Sequence, residues 1–122
     1  MNPSPRILLV DDDDDLRLVL KQLLESGGYR VVGSSQCGTA IELLRDESFD
    51  MVLLDITLPD NSGFGVLEFL KANNLPTKVI VITGTVGLEN AIRSAALGVL
   101  DYIVKPFAPH YLLRSIQHAL EV

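Results

Sequence analysis

A chain of 122 residues, 48% of them hydrophobic, can bury one core and is too short for two ordinary domains. With 16 acidic against 10 basic residues and a net charge of −6, it has no Lys/Arg cluster to neutralise a phosphate backbone, which argues against direct nucleic-acid binding by this segment. A lone Cys37 excludes an internal disulfide, the opening MNPSPR lacks an apolar signal stretch, and no apolar run approaches the roughly 20 residues that span a bilayer, so the expectation is a reducing, cytoplasmic setting without membrane contact.

The first apolar run, RILLV (6–10), leads straight into five aspartates, Asp11 to Asp15. Leu16, Val19, Leu20, Leu23 and Leu24 then share one helical face, and Gly27-Gly28 ends it where a left-handed cap suits glycine. YRVVGS (29–34) is a weaker strand, and Ala40, Leu43 and Leu44 mark a short second helix with Cys37 just ahead of it. MVLLD (51–55) is followed by a helix carrying Val66, Leu67 and Leu70, with Ser62 placed to cap its first turn. KVIVIT (78–83) precedes a helix with Leu88, Ala91, Ile92, Ala95 and Ala96 on one face. DYIV (101–104) is the last strand, and Pro109 opens a helix carrying Leu112, Leu113, Ile116 and Leu120.

The strands are apolar at successive positions rather than alternating, as in a parallel sheet covered on both faces. The pattern is βα five times over, an α/β doubly wound fold with right-handed crossovers. Such folds bind ligands beyond the carboxyl ends of the strands.

Those ends carry the chemistry. Asp11 and Asp12 end the first strand and Asp55 the third; if the two are neighbours, three carboxylates converge. Two such charges ~4 Å apart repel by about 4 kcal/mol at an effective dielectric of about 20. The cluster must hold protons or a cation, and Mg²⁺, which needs few protein ligands and keeps its waters, suits an open rim. Asp13, Asp14 and Asp15 fall where the first helix begins and read as capping and dipole-favoured charges. Thr83-Gly84 ends the fourth strand with a hydroxyl and an unobstructed amide, and Lys105-Pro106 ends the fifth. An aspartate between a cation and a lysine, with a hydroxyl and amides beside it, is equipped to accept a phosphoryl group.

The segments LLVDDD (8–13), MVLLDITLPDNSG (51–63), VITG (81–84) and DYIVKPF (101–107) resemble, in order and spacing, the signatures of response-regulator receiver domains of two-component signalling, the CheY-like fold. The resemblance covers residues 1–122 as one receiver domain, whether free-standing or part of a longer protein, and implies the flavodoxin-like strand order 2-1-3-4-5. It implies that Asp55 accepts phosphate from a sensor histidine kinase or a histidine phosphotransfer protein. Asp12, Asp55 and the Thr57 carbonyl would ligate Mg²⁺, with Asp11 acting through a bound water. Lys105 and Thr83 would hold phosphoryl oxygens, with the Gly84 and Thr57 amides beside them, and the Lys105-Pro106 bond would be cis. Tyr102 would follow Thr83, coupling phosphorylation to the face of helix four, strand five and helix five, and so to an output domain or protein target. The protein is then a switch and not an enzyme with a diffusible substrate.

The chain departs from the family pattern at Leu58, where Met is common, and at Ser62, where Asp is. Leu100 and Ser115 lack the acid and arginine of receivers that dimerise in the OmpR manner, which disfavours that interface. Thr57 and Thr85, two beyond Asp55 and Thr83, bring no group suited to orient an attacking water, so a long-lived phosphoryl group is expected. TGTVG (83–87) lacks nucleotide-binding spacing. His110 and His118 read as surface residues away from the acids. A haloacid-dehalogenase-type phosphatase would need an acid where Thr57 stands; the other rival is a phosphorylation-independent pseudo-receiver.

Overall fold

The computed structural model describes residues 4–58, 63–84 and 87–121, with the side chains at 88–90 and 92 outside the description. Five strands and five helices alternate: β1 (Arg6–Val10), α1 (Asp14–Ser26), β2 (Arg30–Ser34), α2 (Cys37–Asp46), β3 (Met51–Leu54), α3 (Phe64–Ala72), β4 (Lys78–Thr83), α4 (Leu88–Ala96), β5 (Asp101–Val104) and α5 (Pro109–Glu121). The strands pair in parallel in the order β2-β1-β3-β4-β5, so the expected doubly wound, flavodoxin-like topology is the observed one.

The lack of alternation in the strands has a direct explanation. Leu8, Val10, Val52, Leu54, Val79 and Val81 point to one side of the sheet, where they are buried with Ala40 and Leu44 of α2 and Val66, Leu67 and Leu70 of α3. Ile7, Leu9, Met51, Leu53, Ile80 and Ile82 point to the other, where Leu20 and Leu24 of α1 and Leu112 and Ile116 of α5 cover them. Period two survives in where each side chain goes and vanishes from its polarity, because both destinations are dry.

Helix ends follow local chemistry. Asp13 caps α1, its Oδ1 accepting from the Leu16 amide at 3.1 Å, and Asp14 and Asp15 occupy the first turn. At the other end it is Gly28, with φ +95°, that takes the left-handed conformation just past the helix. The expected cap at Ser62 lies outside the described residues.

Three expectations are corrected. Val19 is 58% exposed, not part of the buried face. At about 100° per residue it stands a quarter turn from Leu20, past the edge of the stripe, whose margin is formed by half-buried Leu16 and Leu23. On α4, Ala95 and Ala96 are exposed and Ser94 is buried. A methyl group contributes little burial, so alanines fix the rotation of a helix weakly, and half-buried Leu97 and Val99 beyond the helix pack against the core. Cys37 is the first residue of α2 rather than a residue ahead of it, and it is buried in the core.

Candidate functional site

Register places the site. Val10 pairs with Leu54 and Leu54 with Val81, so β1 and β3 end level while β4 runs two residues further, and Thr83 pairs with Val104 of β5. The residues after these ends, Asp11, Asp12, Asp55, Gly84 and Lys105, form one rim, beside the β1–β3 point where strand order reverses.

The acids converge as expected. Asp11, Asp12 and Asp55 each offer a carboxylate oxygen, all within 4.8 Å of one another. Asp11 and Asp55 are buried at 0% and 4% exposure, whereas Asp12 faces solvent. Lys105 Nζ donates to Asp11 Oδ2 at 2.7 Å and to Asp55 Oδ2 at 3.0 Å, clamping the two buried carboxylates together. Burial alone pulls the lysine pKa down, but its hydrogen bonds and attraction to Asp11 and Asp55 outweigh desolvation and raise it above the usual lysine value. The ammonium therefore stays charged throughout the neutral range.

Asp55 is held from both sides. Its amide donates to the Val10 carbonyl at 2.9 Å, and Oδ1 accepts from the Thr57 amide at 2.9 Å and the Thr57 hydroxyl at 2.7 Å. Oδ2 faces Lys105, so both oxygens have fixed directions. Asp11 is fixed by its amide on the Ser34 carbonyl and by the Asp13 amide, which donates to Asp11 Oδ1 at 2.9 Å. An all-oxygen set of three carboxylates at an open rim fits a hard divalent cation such as Mg²⁺.

Nothing in the sequence pattern singled out Gly63 beyond its place in MVLLDITLPDNSG, yet it is a contact residue. A Cβ there would stand 2.6 Å from Ile56 Cα and 2.7 Å from the Asp55 carbonyl oxygen, so the backbone after β3 packs against the backbone of Asp55 itself. Gly63→Ala should cost about 2–3 kcal/mol by forcing those main chains apart. Urea unfolding checks this; an unchanged midpoint would mean the loop yields freely.

The remaining rim residues differ in access. Gly84 is exposed, with open space where a Cβ would sit, so its amide is unobstructed. Thr83 is fully buried. Because Tyr102 pairs with Val81, two residues before Thr83, Tyr102 and Thr83 lie on the same face of the sheet. Desolvation, then the charge of Asp55, raises the Tyr102 pKa. The Lys105-Pro106 bond is cis. His110 and His118 are exposed on α5. Thr85 lies outside the described residues. Leu100 is exposed, and Asp101 Oδ2 accepts from Ser115 Oγ at 2.6 Å, an internal bond at the position where an arginine was expected to be missing.

No helix among the described residues is long and apolar enough to cross a membrane. The family profile described as response regulator receiver domain matches residues 7–117. The cell cycle response regulator CtrA of Brucella ovis is 32% identical over 115 residues, which make up 94% of this chain and 49% of that protein. The chain thus spans about half the length of the curated relatives it matches. A CheY-like response regulator receiver domain protein from Methanospirillum hungatei superposes with a TM-score of 0.91 at 36% identity, covering 97% of this chain and 94% of that one. The non-phosphorylated HemR receiver domain of Leptospira biflexa gives 0.91 at 34% identity, covering 98% and 96%. The chain belongs to the response regulator receiver domain family of two-component signalling.

Proposed function

We propose that residues 1–122 act as one phosphorylation-dependent switch in which Asp55 accepts a phosphoryl group from a cytoplasmic histidine kinase or histidine phosphotransfer protein. The carrying observation is the buried Asp55 carboxylate between the Lys105 ammonium at 3.0 Å and the oxygens of Asp11 and Asp12. A carboxylate oxygen of Asp55 forms the new bond to phosphorus as the phosphorus–nitrogen bond of the donor breaks, and the departing imidazole takes a proton. Thr57 and Lys105 orient the acceptor before the donor arrives. Lys105, already within reach of Asp55 Oδ2, passes to a phosphoryl oxygen while retaining Asp11. The Gly84 amide and, once turned outward, the Thr83 hydroxyl take the other oxygens.

Asp12, Asp55 and the Thr57 carbonyl would hold Mg²⁺, with Asp11 one water away. The cation supplies positive charge against the charge developing on the transferred group. Turning Thr83 outward empties space on the face it shares with Tyr102, which supports a readout through α4, β5 and α5 to an output domain or protein target. No diffusible metabolite is consumed.

Intact-mass measurement after incubation with acetyl phosphate should show one phosphoryl adduct with Mg²⁺ and none with EDTA. Asp12→Ala should weaken Mg²⁺ binding by about tenfold or more and slow adduct formation accordingly. Folded protein that takes no adduct from several donors would point instead to a phosphorylation-independent interaction module.

A further inference from the structure

Arg17 touches none of the groups named above as ligands or phosphoryl contacts, yet it reaches the peptide that carries two of them. Its Nη1 donates to the main-chain carbonyl of Asp11 at 2.7 Å, and its Nη2 donates to Asp14 Oδ1 at 2.6 Å. The Asp11 carbonyl belongs to the planar peptide group joining Asp11 to Asp12, so whatever holds that oxygen sets the plane from which both carboxylates depart. The Asp11 amide, bonded to Ser34, fixes only the peptide before it.

The arginine stem lies across β2 at Gly33, close enough that a side chain there would press on it. A Cβ on Gly33 would stand 3.2 Å from Arg17 Cδ and 3.5 Å from Nε. Gly33 pairs with Leu9 of β1, next to the strand end that bears the acids. The stem would have to give by a few tenths of an ångström while its guanidinium is bonded to the Asp11 carbonyl and to Asp14.

The geometry points to Arg17 as a positioning residue for the cation site, seated by Gly33 and acting through the Asp11–Asp12 peptide. This rests on the Mg²⁺-dependent reading proposed above. The sign of the effect separates positioning from simple charge. Arg17 is a cation near three carboxylates, so if only its field mattered, removing it would tighten Mg²⁺ binding. If it sets the peptide plane, removing it loosens binding despite the gain in field.

Calorimetric titration of Mg²⁺ alone into wild type, Arg17→Met, Gly33→Ala and the double variant tests this, with urea unfolding in EDTA as the control for global stability. Arg17→Met should bind about tenfold more weakly, as for other residues that orient metal ligands. Gly33→Ala, which keeps every charge, should also bind more weakly, and that loss should disappear in the double variant. Unchanged or tighter binding by Arg17→Met overturns the inference, as does a Gly33→Ala loss that persists undiminished beside Arg17→Met. Wild type that binds no Mg²⁺ would overturn the proposed function first and this inference with it.

Discussion

Asp55→Asn should take no phosphoryl adduct under conditions that fully modify the wild type, while folding normally. Asparagine keeps one oxygen, and the two Thr57 donors, at 2.9 and 2.7 Å from Oδ1, hold that oxygen in place of the carboxylate's. The amide nitrogen is then left where Oδ2 met Lys105, two donors facing each other, and the ammonium turns wholly to Asp11 at 2.7 Å. Loss of that charged hydrogen bond is opposed by relief of carboxylate crowding, so the net stability change should stay within about 1 kcal/mol. The chemical consequence has no such compensation, because a neutral amide oxygen is a poor nucleophile toward phosphorus. Intact-mass spectrometry with a urea denaturation curve reads both effects. An adduct of undiminished yield on the variant would move the acceptor away from Asp55.

Much of this was legible in the sequence, and the reasons are particular. A doubly wound sheet exposes only its strand ends, so a polar residue directly after an apolar run is already located in space. Asp11, Asp55, Thr83 and Lys105 were found in this way without knowledge of side-chain direction. Their convergence needed one further fact, the adjacency of β1 and β3, which the residues alone left open and the strand order supplies.

What escaped depends on distance or rotation rather than on pattern. Arg17 looks like an ordinary solvated charge three residues after Asp14, and nothing in the chain says that its other nitrogen reaches the Asp11 carbonyl. Gly63 and Gly33 resemble turn or bulge glycines, whereas each makes room for a group from another element: a main chain in one case, an arginine stem in the other. Ser94 was missed because alanines define a helical face weakly. The acids divide in position as the sequence suggested: Asp13 caps α1, Asp14 and Asp15 fill its first turn, and Asp11 and Asp12 group with Asp55.

Lys105→Met should shift stability and Mg²⁺ affinity in opposite directions. In the wild type the one ammonium is shared between two carboxylates that have almost no access to water, Asp11 at 0% and Asp55 at 4%. Removing one partner of a buried pair costs about 3–5 kcal/mol, reduced here to about 2 kcal/mol because the lysine itself is partly open to solvent screening. The sign with pH is fixed by the raised lysine pKa. The ammonium's contribution is fully present below the usual lysine value and is lost as pH rises through the higher folded value, so the gap between wild type and variant should be constant near neutrality and close only in strong alkali.

A cation held by Asp12 and Asp55, with Asp11 one water away, would however sit beside that ammonium, which bonds the same Asp55 and Asp11 carboxylates. Charges of +1 and +2 about 5 Å apart repel by about 1.7 kcal/mol even at the dielectric of water, more than tenfold in binding. The variant should therefore be less stable in EDTA and bind Mg²⁺ more tightly, with Mg²⁺ restoring much of the lost stability. Urea unfolding with and without Mg²⁺, beside calorimetric titration, measures both quantities on the same protein. Weaker Mg²⁺ binding by Lys105→Met would assign the lysine the opposite role: its two bonds would be holding Asp11 and Asp55 in ligating geometry, and that service would outweigh its repulsion of the cation.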